Sequence, residues 1–168
     1  VFQNPNTKKI IKNISSVIKE SVDMKYLINK KSKNKANNIS KVFLKKYKYS
    51  NLKIGIAFDS AFGFYYPDDI DRFKRLGVKI IYFDTLEDKV LPKVDGLFIG
   101  GGFPERVADK LNKNTRMVKS ISAYIESGMP VYAECGGLMY LCNSIITKTK
   151  KFKMTGIINA DIEILDRP

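Results

Sequence analysis

Histidine and tryptophan are absent from the 168 residues, and the only cysteines are Cys135 and Cys142. The lack of histidine removes the commonest metal ligand and the commonest general base from the chain. Two cysteines seven residues apart suit neither a disulfide framework nor a zinc site, which needs about four ligands. We therefore expect no metal site and a reducing compartment, the cytoplasm.

Long apolar runs are also missing. No stretch approaches the roughly 20 apolar residues of a membrane-spanning helix, and no secretory signal is seen, so we expect no membrane association.

The net charge of +13 is concentrated in residues 1–50, which hold 13 Lys against Glu20 and Asp23. Readers of nucleic acid rely on arginine and interleaved aromatic side chains, so we expect no nucleic-acid partner. A solvated lysine-rich surface is the first interpretation, and contact with an anionic substrate or domain is the second.

The sequence divides into residues 1–50 and residues 51–168. Isoleucine and valine recur at steps of three and four over residues 7–21, which predicts an amphipathic helix, and Asp23 is predicted to cap a second short helix. Residues 30–38 are mostly Lys, Ser and Asn, which indicates a linker. Residues 1–50 are too few and too polar to form a core of their own.

Residues 51–168 alternate short apolar runs with helical patterns. Strands are predicted over residues 54–58, 78–83, 96–99 and 131–133, and helices over 68–76, 105–111 and 115–126. Apolar strands joined by helices indicate an α/β fold, a three-layer parallel sheet with helices on both faces. After a lysine-rich turn at 148–153, residues 154–165 are predicted to add one or two edge strands. Ligands of such sheets bind at the carboxyl ends of the strands.

Cys135 follows the last of these strands and precedes Gly136 and Gly137. A thiol on a tight turn from strand to helix is typical of a nucleophile elbow. The glycines are expected to let the backbone turn sharply and to leave room for a substrate. A helix predicted to run to Ile145 would direct its N-terminal N–H groups at the sulfur and favour the thiolate. The alternative is a buried structural cysteine.

The loop Gly100–Glu105 also lies between a strand and a helix. Its Gly-Gly-Gly-Phe-Pro-Glu sequence is neither a Walker motif nor a dinucleotide fingerprint. Its backbone N–H groups, with that of Gly136, could bind an oxyanion, or the loop is a flexible turn. Two interpretations are open for the aromatic side chains of the loop Asp59–Pro67: they line a pocket, or they pack in the core. Asp59 in the same loop is interpreted either as a polar ligand or as a turn residue.

Three stretches together resemble a known family in order and spacing: Ala57–Pro67, Asp95–Glu105 and Tyr132–Leu141. They are similar to the glutaminase domain of the cobyrinic acid a,c-diamide synthases, a family that includes the enzymes amidating nickel-sirohydrochlorin. The resemblance covers about residues 52–168 and implies a flavodoxin-like, class I glutamine amidotransferase-like fold. A weaker similarity around Val22–Met24 makes residues 1–50 the tail of the synthetase domain and a linker.

The resemblance implies roles for individual residues. Cys135 matches the nucleophile that attacks the side-chain amide of glutamine and frees ammonia. The backbone N–H groups of Gly101 or Gly102 and of Gly136 match the oxyanion hole. Further pocket candidates are Asp59, Tyr66 and Glu134. In the family, ammonia passes to the synthetase domain, where ATP and Mg²⁺ activate the a and c acetate carboxylates of a tetrapyrrole; neither cofactor is expected in this fragment.

This sequence departs from the family in two ways. The family's catalytic histidine lies beyond the position of Pro168, and its ATP-binding domain precedes residue 1. We therefore expect a fragment with a truncated glutaminase domain over 51–168, unable to hydrolyse glutamine alone. The alternatives are a non-catalytic or regulatory glutaminase-like binding module and a cysteine-elbow relative of the stress proteins. The choice of cobalt or nickel substrate and the oligomeric state, with a homodimer as one option, are left open.

Overall fold

The computed structural model describes residues 6–29, 49 and 51–165. The chain forms two units, Val1–Leu44 and Lys45–Pro168. The linker predicted over residues 30–38 lies outside the described residues.

The first unit contains the two predicted helices, α1 (Thr7–Ser21) and α2 (Met24–Asn29). The Asp23 carboxylate accepts a hydrogen bond of 2.9 Å from the Tyr26 N–H, which is the expected N-terminal cap. Neither helix has a buried residue. Among the described residues of this unit, the apolar stripe of α1 therefore contributes to no core.

The second unit alternates strands and helices along the chain. Its elements are β1 (Lys53–Ala57), β2 (Phe62–Phe64), α3 (Pro67–Arg75), β3 (Lys79–Phe83), β4 (Gly96–Ile99), β5 (Gly101–Gly102), a 3₁₀ helix (Pro104–Val107), α4 (Ala108–Lys113), α5 (Thr115–Glu126), β6 (Val131–Ala133), α6 (Gly136–Leu141), β7 (Cys142–Ile146), β8 (Lys151–Lys153) and β9 (Ile158–Glu163).

Four of these strands form the central sheet, all parallel, in the order β3-β1-β4-β6. Counted along the chain this is the order 2-1-3-4 of flavodoxin-like sheets. The carboxyl ends of β1, β4 and β6 meet at one edge of the sheet. The loops that follow these strands are the three that carry the candidate site.

Helices cover both faces of this sheet, as the sequence predicts. Leu97 and Ile99 of β4 belong to the same buried cluster as Met117 and Ile121 of α5. Because successive side chains of a strand point to opposite faces, Phe98 lies on the other face. There its ring contacts that of Phe73 in α3, with centroids 6.3 Å apart.

A short antiparallel pair, β2 with β5, joins two of the loops and was not predicted. Phe62 pairs with Gly102 and Phe64 with Gly101. Strands of two or three residues carry too little alternation to show in a sequence. The pair attaches the aromatic loop to the glycine-rich loop, so neither is a free turn.

The prediction of a helix continuing to Ile145 is wrong. Helix α6 ends at Leu141, and Cys142 begins β7, which pairs in parallel with β9 and antiparallel with β8. Ile145 pairs with Ile162 and is fully buried. Apolar spacing alone suited either element, and strand pairing with β-branched residues decided it. Strand β8 also occupies much of the predicted lysine-rich turn, while β9 is one of the strands expected over 154–165.

Candidate active site

Cys135 lies on the turn between β6 and α6, at the carboxyl end of the sheet. Its φ and ψ are 48° and −114°, and no other non-glycine residue in the described part of the chain has a positive φ. Its side chain is exposed. Such a backbone conformation costs about 1–3 kcal/mol and tends to occur at active sites. The geometry is that of a nucleophile elbow.

Gly136 and Gly137 act differently from expectation, because the sharp turn is made by Cys135 itself. Both glycines are buried in the first turn of α6, packed against the backbone of the glycine-rich loop. A Cβ at Gly137 would lie 2.1 Å from the carbonyl oxygen of Ile99, and one at Gly136 would lie 3.0 Å from the Gly102 nitrogen. The glycines are needed because any side chain would push the elbow away from the loop.

The candidate oxyanion donors lie together beside the thiol. A Cβ at Gly101 would lie 3.7 Å from the Cβ of Cys135. The N–H of Gly137 donates to the Gly100 carbonyl at 3.0 Å, which joins the elbow to the loop. The N–H of Gly136 donates to no group within the described residues. The backbone next to Cys135 therefore offers an unused donor, as an oxyanion site requires.

Cys135 opens into a cavity of about 520 Å³, lined by Gly63, Phe64, Tyr65, Tyr66, Gly101, Glu134 and Cys135. This volume is within the usual range for small-molecule sites, about 300–1,000 Å³. A groove of similar size, about 540 Å³, lies between α3 and the β6 edge and contains no cysteine. We assign the chemistry to the smaller cavity because it contains the strained thiol.

Tyr66 and Glu134 line the cavity. The Glu134 carboxylate accepts a hydrogen bond of 3.0 Å from the Tyr132 hydroxyl, and this contact raises the pKa of Tyr132. Asp59 is not among the residues that line the cavity. Its carboxylate accepts from the N–H groups of Ala61 and Phe62 and from the N–H and hydroxyl of Thr85. These contacts make Asp59 a turn residue that holds the aromatic loop.

Within the described ranges, no three His, Cys, Asp or Glu side chains converge as metal ligands. None of the helices in those ranges has the length and apolar character needed to cross a membrane.

Comparison with known families shows which family the chain belongs to. Residues 53–168 match the family model of the CobB/CobQ-like glutamine amidotransferase domain. The chain belongs to this family. The match covers the whole second unit from β1 onward and includes both the elbow and the glycine-rich loop.

Curated relatives of this amidotransferase domain are longer proteins. A cobyrinate a,c-diamide synthase of Picrophilus torridus is 41% identical over 160 residues, covering 95% of this chain and 36% of the relative. One of Listeria innocua is 42% identical over 146 residues, covering 87% of this chain and 32% of the relative. One of Archaeoglobus fulgidus is 35% identical and covers 99% of this chain. The chain thus spans about a third of the length of these relatives.

A solved structure shows the same fold. The crystal structure of a protein described as a peptidase E from Listeria monocytogenes superposes with a TM-score of 0.53, covering 70% of this chain and 67% of its own. The two share 15% identity, so the likeness concerns the fold of the amidotransferase domain alone.

One site residue of the amidotransferase domain, Tyr65, was not singled out from the sequence. Its hydroxyl donates to the carbonyl of Ala57 and accepts from the Gly100 N–H at 3.0 Å. Burial raises the pKa of Tyr65 to about 12. The run Phe-Gly-Phe-Tyr-Tyr signalled an aromatic cluster but could not show which hydroxyl turns inward.

The second cysteine of the amidotransferase domain is placed unlike the first. Cys142 is 2% exposed, and its Sγ lies 3.3 Å from the Leu138 carbonyl to which it donates. Burial, with a smaller contribution from the Asp161 carboxylate, raises the pKa of Cys142. Cys142 therefore fits the structural role that was the alternative for Cys135.

Proposed function

We propose that this chain is the glutaminase part of a tetrapyrrole a,c-diamide synthase. The observation that carries the proposal is the exposed, strained Cys135 beside the glycine-rich loop, in a cavity able to hold an amino acid. Membership of the amidotransferase family and the names of the relatives support it. Glutamine is the proposed amide donor.

In the proposed reaction the Cys135 thiolate attacks the side-chain amide carbon of glutamine. A C–S bond forms, and the amide oxygen becomes an oxyanion held by the N–H of Gly136 and that of Gly101 or Gly102. The C–N bond then breaks, the nitrogen takes up a proton, and ammonia leaves behind a glutamyl thioester. Water hydrolyses the thioester to glutamate and regenerates the thiol.

The proton for the departing nitrogen needs a donor that titrates near neutral pH. The chain has no histidine, and the ordinary pKa of lysine, near 10.4, is too high for this role. Glu134 lines the cavity, but its carboxylate already accepts a hydrogen bond from the Tyr132 hydroxyl. We propose that a histidine outside these 168 residues supplies the proton and that this chain alone hydrolyses glutamine slowly.

ATP and Mg²⁺ are proposed to act in another domain, because the residues present here do not fit them. The turn Gly100–Gly102 is followed by Phe-Pro-Glu rather than Gly-Lys-Ser/Thr, and it is packed against β2 and α6. We propose that a synthetase domain amidates the a and c acetates of cobyrinic acid or nickel-sirohydrochlorin in the cytoplasm with the ammonia released at Cys135.

Ammonia release from glutamine tests the proposal on three proteins: this chain, the complete gene product and the complete product with Cys135→Ser. We expect release by the complete product, loss of it with Cys135→Ser, and a rate lower by roughly 10²–10⁴-fold in this chain, the usual value of general acid–base help. Equal rates for this chain and the complete product would contradict the external histidine. A complete product inactive with or without Cys135 would favour the regulatory, non-catalytic alternative.

A further inference from the structure

We propose that Tyr65 is the positioning residue of the oxyanion loop, its hydroxyl fixing the Gly100 backbone beside Cys135. The inference rests on the proposed glutaminase function for its consequence in catalysis, but its geometry stands independently. Three features support it: the position of the hydroxyl between two strands, the contact of the ring with Gly100, and the link from Gly100 to the elbow.

The hydroxyl lies where the strands β1 and β4 stop pairing. The two strands are in register from Ile54 with Gly96 to Ile56 with Phe98. One and two residues further on, the Ala57 carbonyl and the Gly100 N–H both bond to the Tyr65 hydroxyl instead. A side chain from the aromatic loop thus continues the backbone hydrogen bonding to the end of the sheet, where the candidate site begins.

The aromatic ring of Tyr65 explains why position 100 is glycine. A Cβ at Gly100 would lie 2.6 Å from the Tyr65 Cε1 atom, much closer than atoms can approach. The ring is held in turn by Phe98, edge to face at 5.1 Å between centroids. Tyr65 and Gly100 are therefore matched in shape as well as in hydrogen bonding.

Gly100 is held on both of its peptide groups. Tyr65 accepts from its N–H, and its carbonyl accepts from the N–H of Gly137 at 3.0 Å. Glycine has more conformational freedom than any other residue, so a run of three needs outside contacts to keep one conformation. Because a peptide group is planar, the orientation of the Gly100 carbonyl also sets that of the Gly101 N–H, one of the proposed oxyanion donors next to Cys135.

The Tyr65 hydroxyl has a single protonation state at physiological pH. With a pKa of about 12 it remains neutral at physiological pH. A neutral hydroxyl can donate to Ala57 and accept from Gly100 at once, whereas a phenolate could only accept.

The first test compares two reagents at Cys135 in Tyr65→Phe. A glutamine analogue with a chloromethyl ketone in place of the amide gives an oxyanion when the thiolate adds to its ketone, before the S–C bond to the methylene forms and chloride leaves. Iodoacetamide is attacked directly at carbon, with loss of iodide, and forms no oxyanion. Loss of a whole oxyanion donor costs about 10²–10³-fold, so a displaced one should slow the chloroketone by about 10-fold.

We expect the iodoacetamide rate at Cys135 to change less than about twofold, well below the oxyanion effect. Tyr82→Phe is the matched control, since Tyr82 lies on β3, packs against Phe58 and does not line the cavity. It should leave the ratio of the two rates unchanged. Equal slowing of both reagents in Tyr65→Phe, or an unchanged ratio, would overturn the proposal.

The second test measures amide hydrogen exchange by NMR and does not depend on glutamine chemistry. In Tyr65→Phe the Gly100 N–H loses its acceptor, and its exchange should become at least about 10-fold faster while the Ile56 and Phe98 amides keep their rates. An unchanged Gly100 rate, or a uniform increase along β1 and β4, would overturn the proposal. The two proposals can fail separately. If Cys135 of the wild-type chain does not react selectively with the chloroketone, the glutaminase function is contradicted. If Tyr65→Phe still shows the faster exchange at Gly100, the positioning role stays intact.

Discussion

Helix α6 has a cysteine at each end, and its two ends place the same side chain in opposite environments. Cys135 precedes the helix with φ at 48° and an exposed thiol. Cys142 follows it with an extended backbone, φ −71° and ψ 174°, and a buried thiol. The comparison shows that the same fold strains and exposes one thiol and relaxes and buries the other. The following predictions test that difference.

The strained end depends on the close contact between the elbow and β4. Gly137→Ala places a Cβ 2.1 Å from the Ile99 carbonyl oxygen, and backbone must move to relieve it. Overpacking of this kind costs about 3 kcal/mol in the free energy of unfolding. Urea denaturation measures the loss. Gly128→Ala is the control: φ is 93° but no atom lies within 4 Å, so only the smaller conformational cost, about 1 kcal/mol, is expected. Equal losses would show that contact is not what fixes the elbow.

Removing the strain should stabilise the fold while destroying the site. Glycine adopts positive φ without penalty, so Cys135→Gly is expected to raise the free energy of unfolding by about 1 kcal/mol, after the entropy cost of the added glycine. Cys142→Gly, at the relaxed and buried end, should lower it by about 1–2 kcal/mol. Thermal melts of both variants give the comparison. Destabilisation by Cys135→Gly would mean that the elbow stores no strain.

The buried face of α6 carries the Tyr140 hydroxyl, which makes no hydrogen bond within the described structure. Tyr140 is fully buried, and its hydroxyl has no hydrogen-bond partner in the described structure. Since an unsatisfied buried hydroxyl costs about 1–3 kcal/mol, Tyr140→Phe should be neutral or stabilising by up to about 1 kcal/mol. A substantial loss of stability would reveal a partner for this hydroxyl.

The buried thiol of Cys142 should make the free energy of unfolding depend on pH. Burial raises the pKa of Cys142 in the folded chain, so the unfolded chain releases the thiol proton first. The stability due to the neutral thiol is full below the ordinary pKa of about 8.5 and declines as pH rises through the higher folded value. Between pH 8 and 10 the wild type should therefore lose more stability than Cys142→Ala, the smallest effect predicted here. Parallel losses would contradict the pKa direction.

Much of this could be predicted from the sequence. The order of apolar runs predicted the four parallel strands, and Cys135 with two glycines after a strand predicted the elbow, because these signals are local. The helix through Ile145 was predicted wrongly because pairing of β7 with β9 is a long-range interaction. The contact of Asp59 with Thr85 and that of Tyr65 with Gly100 were hidden for the same reason, since the partners lie 26 and 35 residues away.

The most direct test of the central claim, that Cys135 is the glutamine-directed thiol, maps modification of the wild-type chain by the chloroketone analogue of glutamine. Mass spectrometry of the peptides would report labelling of Cys135 and Cys142 with and without an excess of glutamine. We expect label on Cys135 alone, suppressed by glutamine and unaffected by asparagine. Labelling of both cysteines, or labelling of Cys135 that glutamine does not suppress, would contradict the claim.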